Sequence, residues 1–172
     1  AMNIFRLNHL KMHGIKLEKD GINIKDFKES FKNTKLTYLI PDFQNPSATT
    51  YCDEKRKEIA KIVSEENGIL IEDSPYSELF FDKKNISISS KIPKNSFHLG
   101  SFSKTLVPSL RIGWIRADEE LLKSLMIIKE SIDLHSCGIS QYILKKMKKN
   151  MKNIFKKSEM IMRKKQTSFV NN

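Results

Sequence analysis

The feature that most constrains this chain is a short apolar run, Ile69-Leu70-Ile71, entered from a charged amphipathic segment and left through two carboxylates, Glu72-Asp73. Three aliphatic residues bounded by Gly68 and by polar side chains predict a buried strand. The segment before it, 53–67, sets Ile59, Ile62 and Val63 on one helical face, with Asp53 as the expected N-cap and Gly68 as the stop. The same alternation recurs along the chain. Ile15-Lys16-Leu17 reads as a short strand, and Ile24, Phe27 and Phe31 recur at helical spacing. Leu36-Thr37-Tyr38-Leu39-Ile40 is a strand closed by Pro41, and Phe97-His98-Leu99 leads into Gly100. Residues 111–117 alternate as a strand, 119 to about 134 form a helix, and another helix starts near Ser140. Strands alternating with helices belong to the α/β class, here a mainly parallel sheet with helices on both faces, an α/β/α sandwich.

Size and charge narrow the function classes. The 172 residues suit one domain, and no apolar run approaches the length of a membrane span. The N-terminus lacks the apolar centre of a secretory signal, and two cysteines are too few for a disulfide framework. The expectation is a cytoplasmic protein with inert thiols at Cys52 and Cys137. A net charge of +11 raises nucleic acid as a partner, but residues 145–165 alone carry +9 of it, leaving +2 for the rest. Around Met147, Met151, Ile154 and Phe155 this basic stretch is amphipathic, which reads first as a helix packing on a domain. His9, His13 and His98 have no partners at ligand spacing, so no metal site is expected.

In open α/β sheets, ligands bind beyond the carboxyl ends of the strands. That rule directs attention to Asn45, Asp73 and residues 100–104. Lys104 follows an apolar strand and two hydroxyls, and a lysine whose amine is made nucleophilic by burial attacks carbonyls. Ser101, Ser103 and Arg111 combine hydroxyl donors with a guanidinium fork, a set suited to phosphate. A carboxylate such as Asp73 can keep a ring nitrogen protonated, and Asn45 and Tyr76 can donate to a phenolate oxygen. A lysine, a phosphate cup and an acid for a pyridinium together match the needs of pyridoxal 5'-phosphate.

The sequence resembles the fold-type I pyridoxal-phosphate enzymes of the class I/II aminotransferase group. Within it, the chain is similar to 2-aminoadipate-type aminotransferases and to the aminotransferase-like domains of GntR/MocR regulators. The resemblance is carried by Phe43-Gln44-Asn45-Pro46, Glu72-Asp73-Ser74-Pro75-Tyr76, Gly100-Ser101-Phe102-Ser103-Lys104-Thr105, Pro108-Ser109-Leu110-Arg111-Ile112-Gly113-Trp114, and Asp133-Leu134-His135 with Gln141. It implies that Lys104 is the catalytic residue, condensing with the cofactor aldehyde and moving the substrate proton. It implies Asp73 at the pyridine nitrogen, Asn45 and Tyr76 at the 3-oxygen, and Ser101, Ser103 and Arg111 at the phosphate. The implied reaction passes an amino group between an amino acid and a 2-oxo acid, in a homodimer away from membranes. The alternative is an effector-sensing domain of a GntR/MocR-type regulator, with nucleic acid a partner only through an upstream winged-helix domain.

Two departures touch turns. Ser47 and Ala48 follow Asn45-Pro46 where the family has a Gly within the motif, and Ser109 replaces a Gly before Leu110-Arg111; both are tolerable at negative φ. The resemblance begins partway through the family's large domain. Residues 1–150 are therefore expected to be part of that domain, and 151–172 a basic helical tail toward the small domain. The chain is expected to be a fragment, weak or inactive alone, with an exposed sheet edge or apolar face that drives self-association. His135 is expected to be structural, and Trp114 to be core.

Overall fold

The computed structural model describes residues 2–80 and 83–147, with residues 150, 153 and 160. Most of the expected basic tail, 151–172, lies outside the described residues. The elements run α1 (Met2–Leu7), β1 (Leu17–Glu18), β2 (Gly21–Ile22), α2 (Ile24–Phe31), β3 (Leu36–Leu39), α3 (Asp53–Glu65), β4 (Ile69–Asp73), β5 (Ser96–Ser101), β6 (Gly113–Arg116), α4 (Glu119–Asp133) and α5 (Gly138–Met147).

The main sheet has the order β3-β4-β5-β6. β3, β4 and β5 are parallel, with Tyr38 opposite Ile71 and Glu72 opposite His98. β6 returns antiparallel, with Gly100 opposite Trp114 and His98 opposite Arg116. The sheet is thus mostly parallel, as expected. Strand periodicity assigns its two faces. Leu39 and Leu70 point to one face and join Phe27, Phe31, Ile59, Ile62 and Val63 in a single buried cluster. That cluster brings α2 and α3 onto this face. Tyr38 points to the other face, where the Phe5 ring of α1 meets it edge-on at 5.9 Å between centroids.

Two local expectations change. The strand expected at Ile15–Leu17 is a two-residue hairpin arm, Leu17–Glu18, pairing Gly21–Ile22 outside the main sheet. Asp53 does not cap α3; Cys52 occupies the cap in extended conformation without a side-chain bond, and Asp53 starts the helix. The hairpin's carboxylates hold this end of α3 instead, since Lys55 Nζ lies 2.5 Å from Glu18 and 2.7 Å from Asp20. Gly68 does stand at the exit of α3, for a packing reason. A Cβ there would lie 2.4 Å from the Phe31 ring.

Two buried ionic groups lock the core side of the sheet. The Arg56 guanidinium, 1% exposed, donates to the carbonyls of Tyr51 and Pro41, each at 2.9 Å, and to Asp42 Oδ1 at 2.7 Å. A longer contact, 3.3 Å, reaches the Ile86 carbonyl. Asn85 donates to the same Asp42 oxygen at 2.9 Å. Glu72, fully buried, accepts from the backbone N–H of Ile88 at 3.1 Å and of Ser89 at 2.7 Å. Buried polar groups need hydrogen-bond partners, and a buried charge also needs a counter-charge; both side chains are hydrogen-bonded, and Arg56 is paired with Asp42. Together they bind the 83–92 segment and the 41–51 loop to the sheet.

Candidate functional site

β4 and β5 end side by side, with Asp73 opposite Leu99 and Ser101 two residues further along β5. From Ser101 the chain folds into a tight turn. Ser101 Oγ accepts from Ser103 N–H at 3.1 Å, and Thr105 Oγ1 donates back to the Ser101 carbonyl at 3.3 Å. Leu106 N–H closes the turn on the Phe102 carbonyl at 2.9 Å. A short 3₁₀ turn, Pro108–Leu110, then delivers Arg111 in a left-handed conformation at φ 51°. In that conformation Arg111 Nη1 reaches Ser103 Oγ, at 3.4 Å. Two consecutive turns therefore gather Ser101, Ser103 and Arg111, with the guanidinium exposed.

Lys104 lies in the first of these turns. Its Nζ stands 5.9 Å from the centre of the Tyr76 ring, which the turn after β4 presents. The amine is exposed, so the burial expected around it is not supplied by the described residues. Asp73 is half-buried, and its Oδ2 accepts the hydroxyl hydrogen of Tyr38. No bond to Oδ1 is formed among the described residues. Burial first, and then the bond to Asp73, hold the Tyr38 hydroxyl well above the ordinary phenol range.

Asn45 stands apart. It is exposed at the tip of the 41–51 loop, and its side chain makes no hydrogen bond among the described residues. The loop itself is well tied. Gln44 N–H donates to the Thr49 carbonyl at 3.0 Å, Tyr51 N–H to the Pro41 carbonyl at 2.9 Å, and Ser47 N–H to Gln44 Oε1 at 2.9 Å. Ala48 sits at φ 57°, so the replacement after Asn45-Pro46 falls where φ is positive, contrary to the tolerable case. Ser109 is not among the positive-φ residues.

Trp114 is also not the core residue expected. It is 38% exposed, lies edge-on to His98 at 5.1 Å, and covers Gly100 so closely that a Cβ there would fall 2.2 Å from the indole. His135 is exposed and pairs locally with the Ser136 carbonyl at 3.0 Å. Hydrogen bonds from Ser140 and Ile139 hold the exposed Cys137 thiol below its ordinary value. Among the described residues no three metal-binding side chains cluster, and no helix is long and apolar enough to cross a membrane.

Sequence reasoning missed Tyr38 and Arg56, and quoted Glu72 within its motif without giving it a role. The signal for Tyr38 was in the strand period. With Leu39 inward, Tyr38 points to the face that Ile71 and Asp73 share. The donor set as a whole, with one amine, two hydroxyls, a guanidinium and a carboxylate with one oxygen free, matches an anionic pyridine aldehyde in charge and count.

Comparison with known proteins gives a consistent result. The family model for aminotransferase class I and II matches residues 2–172. The chain is 32% identical over 152 residues to aromatic-amino-acid aminotransferase 1 of Thermococcus litoralis, covering 83% of this chain and 36% of that protein. It is 37% identical over 123 residues to the HTH-type transcriptional regulator NorG of Staphylococcus aureus, covering 70% of this chain and 27% of the regulator. Among solved structures it superposes on LysN, the alpha-aminoadipate aminotransferase of Thermus thermophilus complexed with N-(5'-phosphopyridoxyl)-L-leucine. There the TM-score is 0.89 at 27% identity, with 97% of this chain and 45% of LysN covered. The chain thus spans about a third of the length of these curated relatives.

Proposed function

Since the chain belongs to the aminotransferase class I and II family, we propose that it forms the lysine-bearing part of a pyridoxal 5'-phosphate site. The whole protein then transfers an amino group between an amino acid and a 2-oxo acid. The observation that carries this reading is the pair of consecutive turns after β5 that gathers Ser101, Ser103, Lys104 and Arg111 at the strand end next to Asp73. When bound, the cofactor supplies an aldehyde that takes up amines and a ring that withdraws electrons.

The residues divide the remaining work. Ser101, Ser103 and Arg111 bind the phosphate through hydroxyl and guanidinium donors. Asp73, with Oδ1 free, would hold a proton on the ring nitrogen, since a carboxylate beside a basic nitrogen favours the charged form. Tyr76 and Asn45 donate to the 3-oxygen, Asn45 from a loop that Arg56 holds in place. Lys104 would supply the amine that takes up the cofactor aldehyde and, when free, would serve as the base for the substrate's Cα proton. Residues 1–150 are read as part of the cofactor-binding domain of a cytoplasmic homodimer, and 151–172 as a basic helical segment leading to the second domain.

Borohydride trapping of the full-length polypeptide with pyridoxal phosphate, followed by peptide mass mapping, tests this. The label is expected on Lys104 and absent in Lys104→Ala. A label on another lysine, or none, overturns the reading. The 37% identity to a transcriptional regulator favours one alternative, an effector-sensing domain. That alternative expects the same label on Lys104, no amino transfer to 2-oxo acids, and DNA binding that responds to an amino acid.

A further inference from the structure

We infer that Tyr38 is a positioning residue of the cofactor site: its hydroxyl fixes the Asp73 carboxylate so that one oxygen is committed to the protein and the other is left for the ring nitrogen. The inference rests on the functional reading above and assigns a residue that neither the motifs nor the strand-end rule selects. Tyr38 is the penultimate residue of β3, inside the strand rather than in the loop beyond its carboxyl end.

The placement follows from register. Tyr38 pairs with Ile71 across the parallel ladder, and Asp73 is two residues further along β4 on the same face. The diagonal between such positions is within reach of a tyrosine and too long for most side chains. The phenol donates to Asp73 Oδ2. Its ring is half-buried and braced edge-on by Phe5 from α1, with 75° between the planes, so the hydroxyl has little freedom to swing away. Burial and the carboxylate both oppose loss of the phenolic proton, so Tyr38 remains a donor wherever the fold persists.

Two effects on Asp73 follow. The bond selects one carboxylate rotamer, which pre-orients the acceptor before any ring arrives. It also draws charge toward Oδ2, which weakens Oδ1 as an acceptor and so tunes how firmly a ring nitrogen holds its proton. A residue that served packing alone would do neither.

The test has two arms. In the cofactor-free chain, proton NMR should show a downfield hydroxyl signal that vanishes in Tyr38→Phe and also in Asp73→Asn. A signal that survives Asp73→Asn overturns the inference. In the full-length polypeptide, Tyr38→Phe should weaken pyridoxal phosphate binding about tenfold, as expected for losing a hydrogen bond to a charged group. It should have almost no effect when Asp73 is already Asn. Tyr38→Phe should also shift the pH titration of the bound cofactor's absorbance, while Phe5→Leu, which loosens packing but keeps the hydroxyl, leaves that titration in place. Equal losses in both Asp73 backgrounds, or equal shifts from Tyr38→Phe and Phe5→Leu, overturn the positioning role while the Lys104 label stands. Absence of the Lys104 label in the wild type removes the functional reading, and this inference with it.

Discussion

Helices α3 and α4 are of similar length, 13 and 15 residues, and they meet opposite fates. α3 is the more polar, yet it buries Ile59, Ala60, Ile62, Val63 and even Arg56. α4 is the more apolar and buries nothing among the described residues. The contrast extends to the two sides of the molecule. The core runs from Ile22 to Ile92, and no described residue between 106 and 147 is buried. A helix with apolar residues around most of its girth asks for cover on several sides. α3 finds that cover in the sheet and α2, whereas Ile127 and Ile132 of α4 remain 68% and 77% exposed. Hydrophobicity sets the demand for a partner, and topology decides whether the demand is met.

The sharpest way to break the comparison is at Arg56. Arg56→Ala leaves Asp42 charged and buried with only Asn85 beside it, and should lower stability by about 3–5 kcal/mol in urea denaturation. A loss under about 1 kcal/mol would mean the guanidinium is not holding the loops. Next comes a matched pair of deletions. Leu70→Ala should cost about 2–5 kcal/mol, and Ile132→Ala no more than about 0.5 kcal/mol. Comparable losses would show that α4 is covered after all. The same exposed face should drive association, seen as a mass that rises with concentration in light scattering. Ile127→Glu with Ile132→Glu should lower that mass, and a constant monomer mass in the parent chain would contradict the idea.

A smaller effect is expected at Ala48. An L-residue in the left-handed region carries a cost of roughly 1 kcal/mol, so Ala48→Gly should raise the free energy of unfolding by up to about that amount, read in urea denaturation. The smallest effect concerns pH. Burial keeps His98 below the ordinary value of 6.5, with Arg116 and Lys84 adding to it and Glu72 opposing. The unfolded chain therefore takes up a proton more readily than the folded one. The stability that neutral His98 contributes is complete above pH 6.5 and lost as pH falls through its lowered folded value. His98→Gln should flatten that part of the stability profile, and an unchanged slope would assign the dependence to another group.

The elements that sequence made legible are those with clear periods. α2, α3, β3 and β4 were expected within a few residues because their apolar positions repeat at helical or strand spacing. The hairpin at 17–22 was misread because a two-residue strand leaves no period to detect. The gathering of Ser101, Ser103 and Arg111 was readable because only a short stretch of chain, folded as two consecutive turns, separates them. The Tyr38–Asp73 bond was not, because it depends on how two strands align, and register is a tertiary fact. Arg56 was hidden inside Lys55-Arg56-Lys57, which reads as a solvated run. Its spacing of three, four and seven residues to Ile59, Ala60 and Val63 puts it on the apolar face and could have revealed it.

The indole that lies over Gly100 has a practical consequence. The chain has one tryptophan, and it sits beside the strand end from which the lysine-bearing turn departs. Intrinsic fluorescence of this protein is therefore a local gauge, with one lamp placed next to the site. A ligand settling at that turn would dim or shift the emission, while unfolding confined to the far hairpin would pass unseen.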